Sequence, residues 1–101
     1  MSIFSGIFGG SQKYKYSIGQ KPLPERELRL LISHHRNITL DAAEETLVEE
    51  EILKARHGDG TISLRQIYNV LQHLYNSRKI SIADKKSLMK NFEEYFGEHF
   101  S

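Results

Sequence analysis

The chain has 101 residues, 39% of them hydrophobic, 27% charged and 10% aromatic, which is room for one domain around one core. This composition excludes a largely disordered polymer, and no apolar run approaches the ~18 residues of a membrane span. The lack of cysteine excludes disulfides, thiolate metal sites and cysteine nucleophiles, and 14 basic against 13 acidic residues, a net charge of +1, favour no partner of either sign.

Residues 1–22 read as a flexible arm ahead of a single helical domain at 23–101. The arm opens MSIFSGIFGGS, which sets Ile3, Phe4, Ile7 and Phe8 among glycines and serines. It lacks the basic start, long apolar stretch and cleavage site of a secretory signal, and Ser2 breaks the myristoylation pattern. Lys13, Lys15 and Lys21 beside Tyr14 and Tyr16 make the rest of the arm basic.

A first helix is expected at 24–35. Pro24 suits its first turn, Glu25 and Glu27 favour the positive end of the helix dipole, and Leu28, Leu31 and Ile32 form an apolar stripe. A hydroxyl residue between aliphatics then recurs at Ile38-Thr39-Leu40, Ile62-Ser63-Leu64 and Ile80-Ser81-Ile82. Each hydroxyl is placed to cap a helix, with Gln66 and Asp84 as capping-box partners of Ser63 and Ser81. These starts predict helices at 40–56, 64–76 and 82–97. The third is the most regular, with Leu64, Ile67, Tyr68, Leu71, Leu74 and Tyr75 at helical spacing. In the last, Phe92 and Phe96 are the expected core anchors. No stretch reads as sheet, although the triplets suit a single bridge between loops. The fold class is therefore all-α: a compact bundle of about four short helices with a flexible N-terminal arm.

Charge is segregated along the chain: +4 over residues 1–36, −5 over 37–60, +5 over 61–92 and −3 over 93–101. An acidic second helix carrying Glu44, Glu45, Glu49, Glu50 and Glu51 thus lies between basic neighbours. This patterning implies internal complementarity first and polar recognition second.

Between the second and third expected helices stands His57-Gly58-Asp59-Gly60-Thr61-Ile62-Ser63. Over residues 48–76 this segment resembles an EF-hand, a helix–loop–helix calcium site. Aligned on Gly60, the resemblance puts Asp59 and Ser63 on ligand positions, Thr61 on the carbonyl position and Ile62 on the bridging aliphatic. Ala55 and Gln66 stand where the family carries acids, and His57 replaces the usual Asp or Asn. One anionic ligand does not offset the dehydration of calcium, so the expected role is a turn and a cap without bound metal.

Other constellations carry less. The five histidines include no pair at i, i+4 on one expected helix and no HExxH arrangement. The glutamates lack the Glu-x-x-His pairing of di-metal bundles, and neither a GxSxG elbow nor a phosphate loop occurs. The expectation is a non-enzymatic, cytoplasmic interaction or regulatory module without cofactor, metal or catalytic residues. Its partner would be another protein or a second copy, met by Ile3, Phe4, Ile7 and Phe8 of the arm and by Glu45 and Glu49 of the acidic face. The alternative is a nucleic-acid-binding helical domain using Arg78, Lys79, Lys85, Lys86 and Lys90.

Overall fold

The structure, a computed structural model, describes residues 16–33 and 40–100. Four helices carry the fold: α1 (Glu25–Ser33), α2 (Ala42–Ala55), α3 (Leu64–Asn76) and α4 (Ile82–Phe100). Two short strands, β1 (Lys21–Pro22) and β2 (Thr61–Ile62), pair antiparallel with Lys21 opposite Ile62 and Pro22 opposite Thr61. Consecutive helices pack on one another, and α4 returns to α1, so the four close a ring around one core. Leu28 and Ile32 of α1, Val48 and Ile52 of α2, Ile67, Leu71 and Leu74 of α3, and Leu88, Met89, Phe92 and Phe96 of α4 fill it. Leu23, Ile62 and Ile80, from the connecting segments, complete it. The all-α bundle of four short helices is thus the observed architecture, with one small sheet added.

The helix ends follow from side-chain chemistry. Pro24 precedes α1, and its carbonyl accepts the Leu28 N–H at 3.0 Å. Ser63 caps α3: its hydroxyl accepts the Gln66 N–H at 3.1 Å while Gln66 Oε1 accepts the Ser63 N–H at 3.0 Å. Ser81 Oγ likewise accepts the Asp84 N–H at 3.0 Å at the start of α4. At α2 the expected cap is corrected. Asp41, not Thr39, is the N-cap, and it forms a full capping box with Glu44. The segment 34–39, which holds Thr39 and the expected end of the first helix, lies outside the described residues. We expect Asp41→Ala, Ser63→Ala and Ser81→Ala each to lower stability by about 0.5–2 kcal/mol in urea unfolding. Three neutral substitutions would overturn these capping roles.

Two helix ends differ from simple expectation. The last helix runs past Gly97, because a glycine in an exposed helix interior costs only about 1 kcal/mol and does not stop a helix held by its neighbours. The end of α3 turns through Arg78, whose φ of 61° is left-handed. The Lys79 N–H returns to Leu74 O at 2.8 Å and the Arg78 N–H to Tyr75 O at 3.0 Å, closing a Schellman turn on an arginine where glycine is usual.

Residues 1–15 of the expected arm lie outside the described residues, and with them Ile3, Phe4, Ile7 and Phe8. Residues 16–23 run over the bundle as a strap. Ser17 O accepts the Arg65 N–H at 3.1 Å, a first-turn donor of α3 that has no partner within its own helix. Lys21 and Pro22 pair with β2, and Leu23, fully buried, donates its N–H to Gly60 O at 3.1 Å. Arg56 Nη1 donates to Leu23 O at 2.9 Å from the other side. Between the last and first helices, buried Asn91 of α4 donates from Nδ2 to Leu31 O at 3.0 Å and so satisfies a last-turn carbonyl of α1.

Candidate functional site

The strap, α3 and α4 together build a groove of about 340 Å³ lined by Tyr16, Tyr68, Lys85, Lys86, Met89, Lys90 and Glu93. The helical repeat explains the α4 contribution. Lys85, Met89 and Glu93 succeed one another at four-residue steps, and Lys86 and Lys90 form a parallel row beside them. Met89 is core, so the floor is apolar, whereas Lys86 and Lys90 are exposed. From the strap, Tyr16 stacks on Tyr68 of α3, with ring centroids 5.0 Å apart and planes inclined by 27°.

Hydrogen bonds and ring contacts fix much of this surface. The Tyr68 hydroxyl donates to Gln72 Oε1 at 3.2 Å, and Gln72 Nε2 donates to Asn76 Oδ1 at 2.9 Å. Lys85 Nζ donates to the same Gln72 oxygen and lies 5.2 Å from the Tyr68 ring centroid and 5.3 Å from that of Tyr75. The Tyr16 hydroxyl donates to Glu93, and burial, followed by the Glu93 charge, pushes the Tyr16 phenol above its ordinary value. Tyr16 therefore stays protonated and keeps that bond at neutral pH. Lys86 and Lys90, by contrast, have no ion-pair partner among the described residues.

The basic residues expected as one nucleic-acid surface separate into two places. Lys85, Lys86 and Lys90 line the groove. Arg78 and Lys79 line another depression, of about 440 Å³, together with Glu44, Tyr75, Ile80, Ser81 and Asp84. Glu45 and Glu49 share a smaller depression with Arg29, Ile32, Ser33 and Thr46 between α1 and α2. There Glu49 receives the Arg29 Nε hydrogen at 3.1 Å, and Arg29 also reaches Glu25 at 2.6 Å. Of the acidic face, Glu49 thus joins α2 to α1.

The loop between α2 and α3 is closed by its own side chains. Gly60 takes a φ of 84°, and Asp59 Oδ1 accepts both the Thr61 N–H at 3.1 Å and the Thr61 hydroxyl at 2.7 Å. Gln66 bridges the two ends: Nε2 donates to Ala55 O at 3.3 Å, while Oε1 accepts from Ser63 N and from Gln20 Nε2 at 2.8 Å. Among the described residues no group of three His, Asp or Glu side chains is placed to share a metal ion. The two Thr61 bonds, the hydroxyl first, hold the exposed Asp59 carboxyl below its usual value of 3.8. Its contribution to loop order is complete above that value and is lost as pH falls through the lowered one. Thr61→Val is expected to raise the Asp59 pKa, read from its carboxyl carbon shift by NMR. An unmoved pKa would remove the hydroxyl from the account.

Tyr16, Tyr68, Met89 and Glu93 are the groove residues that sequence reasoning did not assign to a site. Tyr68 and Met89 carry helical spacing and read as core. Tyr16 carried a weak signal as a tyrosine set among lysines. Compared as a whole, the chain matches no protein-family model, no curated protein and no solved structure. Among the described residues no helix is long and apolar enough to cross a membrane.

Proposed function

We propose that this chain is a small, non-enzymatic protein-interaction or regulatory module of the cytoplasm, and that the lysine-rimmed groove is its main recognition surface. One observation carries the reading: Lys86 and Lys90 stand one helical turn apart beside an aromatic wall, without an ion-pair partner among the described residues. Like charges at that spacing oppose helix stability, so an anionic partner relieves a repulsion that the isolated fold retains. Glu45 and the apolar side chains Ile3, Phe4, Ile7 and Phe8 are kept as secondary contacts to a protein partner or a second copy. Glu49 is already engaged by Arg29. The loop at 56–63 belongs to the same reading as a structural turn that works without calcium.

The nucleic-acid alternative draws support from the same lysines. It needs Arg78 and Lys79 on a common track with them, and these line a separate depression beside Glu44 and Asp84. Affinity capture from nuclease-treated extract of the native source tests the choice. The wild-type chain is expected to retain a protein that Lys86→Glu/Lys90→Glu loses. Capture that disappears on nuclease treatment would replace this reading with the alternative, and capture indifferent to both lysines would move the surface elsewhere.

A further inference from the structure

The chemistry of the groove narrows what its occupant is. Resting on the interaction-module reading, we propose that the groove receives an acidic linear segment of another protein, which sets a bulky apolar side chain over Met89 against the Tyr16–Tyr68 stack. Three ammonium groups face one carboxylate, and that carboxylate, Glu93, is occupied by the Tyr16 hydroxyl. Lys85 is held in place by Gln72 and two tyrosine rings, so an acidic group meets a cation whose conformational freedom is already spent. Lys86 and Lys90 are exposed and adaptable, which suits charges at variable spacing along a peptide. A volume of about 340 Å³ lies at the small end of ligand pockets and takes an anchoring side chain with its flanking backbone, not a folded domain.

The same features disfavour the other occupants. A nucleobase needs an open ring face to stack on, and here Tyr16 and Tyr68 stack on each other with the Lys85 ammonium over the Tyr68 ring, whereas an apolar side chain set over Met89 needs only the ring edges. The acidic helix of a second copy has little charge to offer, because Glu44 is in a capping box, Glu49 holds Arg29 and Glu51 holds Lys54, which leaves Glu45 and Glu50 for three ammonium groups. The sequence directly ahead of Tyr16 contains Lys13 and Lys15, whose charge repeats that of the groove.

The test uses the full chain and a fluorescein-labelled octapeptide, Phe-Leu flanked on each side by three acidic residues. Two further probes are an Ala-Ala version of it and a labelled single-stranded dT octamer, and anisotropy is read at physiological salt. The Phe-Leu peptide is expected to bind, and to bind about tenfold more weakly to Lys86→Glu/Lys90→Glu, whose fold is checked by circular dichroism. Replacing Phe-Leu by Ala-Ala is expected to weaken binding by a similar factor. Equal binding of the Ala-Ala peptide would reduce the site to charge alone and overturn the anchor. Tighter binding of the dT octamer would overturn the partner class. No peptide binding, with lysine-dependent capture of a protein in the preceding experiment, would sink the acidic-segment inference and leave the module reading standing. Peptide binding with no lysine-dependent capture would leave the chemistry of the groove as inferred and overturn the groove as the main recognition surface.

Discussion

Leu23→Ala is expected to lower the unfolding free energy by about 2–5 kcal/mol, the range for emptying a leucine site in a packed core. Leu23 is fully buried, its N–H is held by Gly60 and its carbonyl by Arg56. The substitution therefore removes the apolar plug while leaving the backbone bonds able to form. Urea unfolding reads the effect as a lower midpoint at an unchanged slope. A loss below about 0.5 kcal/mol, the usual size of a surface substitution, would mean that the strap rests on the bundle without being part of its core.

The second large effect is expected at Gln66. Gln66→Ala removes the acceptor for the Ser63 N–H and the donor to Ala55 O in one step, and it frees Gln20 of the strap. Orphaned polar groups cost about 1–3 kcal/mol each when buried, and these are partly buried, so a total near 2 kcal/mol is expected by thermal or urea unfolding. Because Ala55 and Gln66 stand where a calcium loop carries acids, millimolar calcium is expected to leave the melting temperature of both proteins unchanged. A calcium-dependent rise that Asp59→Ala abolishes would show the loop to be a metal site.

What was legible in the sequence is what short-range physics controls. The stripe of Ile67, Leu71 and Leu74 needs only helical geometry to find one face, and Ser63 with Gln66 needs only three residues of chain to form a box. The error at α2 has the same origin. Asp41 and Glu44 carry the capping spacing as clearly as any triplet does, but the repeated hydroxyl pattern drew the helix start to Thr39. The strap was not legible, because Leu23 owes its burial to β2 and Arg56, far along the chain, and two residues of strand have no periodicity to display. The groove was half legible. Lys86 and Lys90 declare a shared face by their spacing, whereas Tyr16 meets Tyr68 and Glu93 only through the folded chain.

The strap also bears on the order in which the molecule assembles. A ribosome delivers residues 16–23 early, but their docking partners Ile62, Arg65, Tyr68 and Glu93 come much later, the last near the other end of the chain. The α3–α4 hairpin has a short connection and forms from local contacts, whereas seating the strap requires closing a long loop whose entropy must be spent first. Strap docking is therefore expected late in folding and early in unfolding. Substitutions at Leu23 are expected to quicken unfolding more than they slow folding. Because Tyr16 is one wall of the groove, the groove is complete only once the strap is seated.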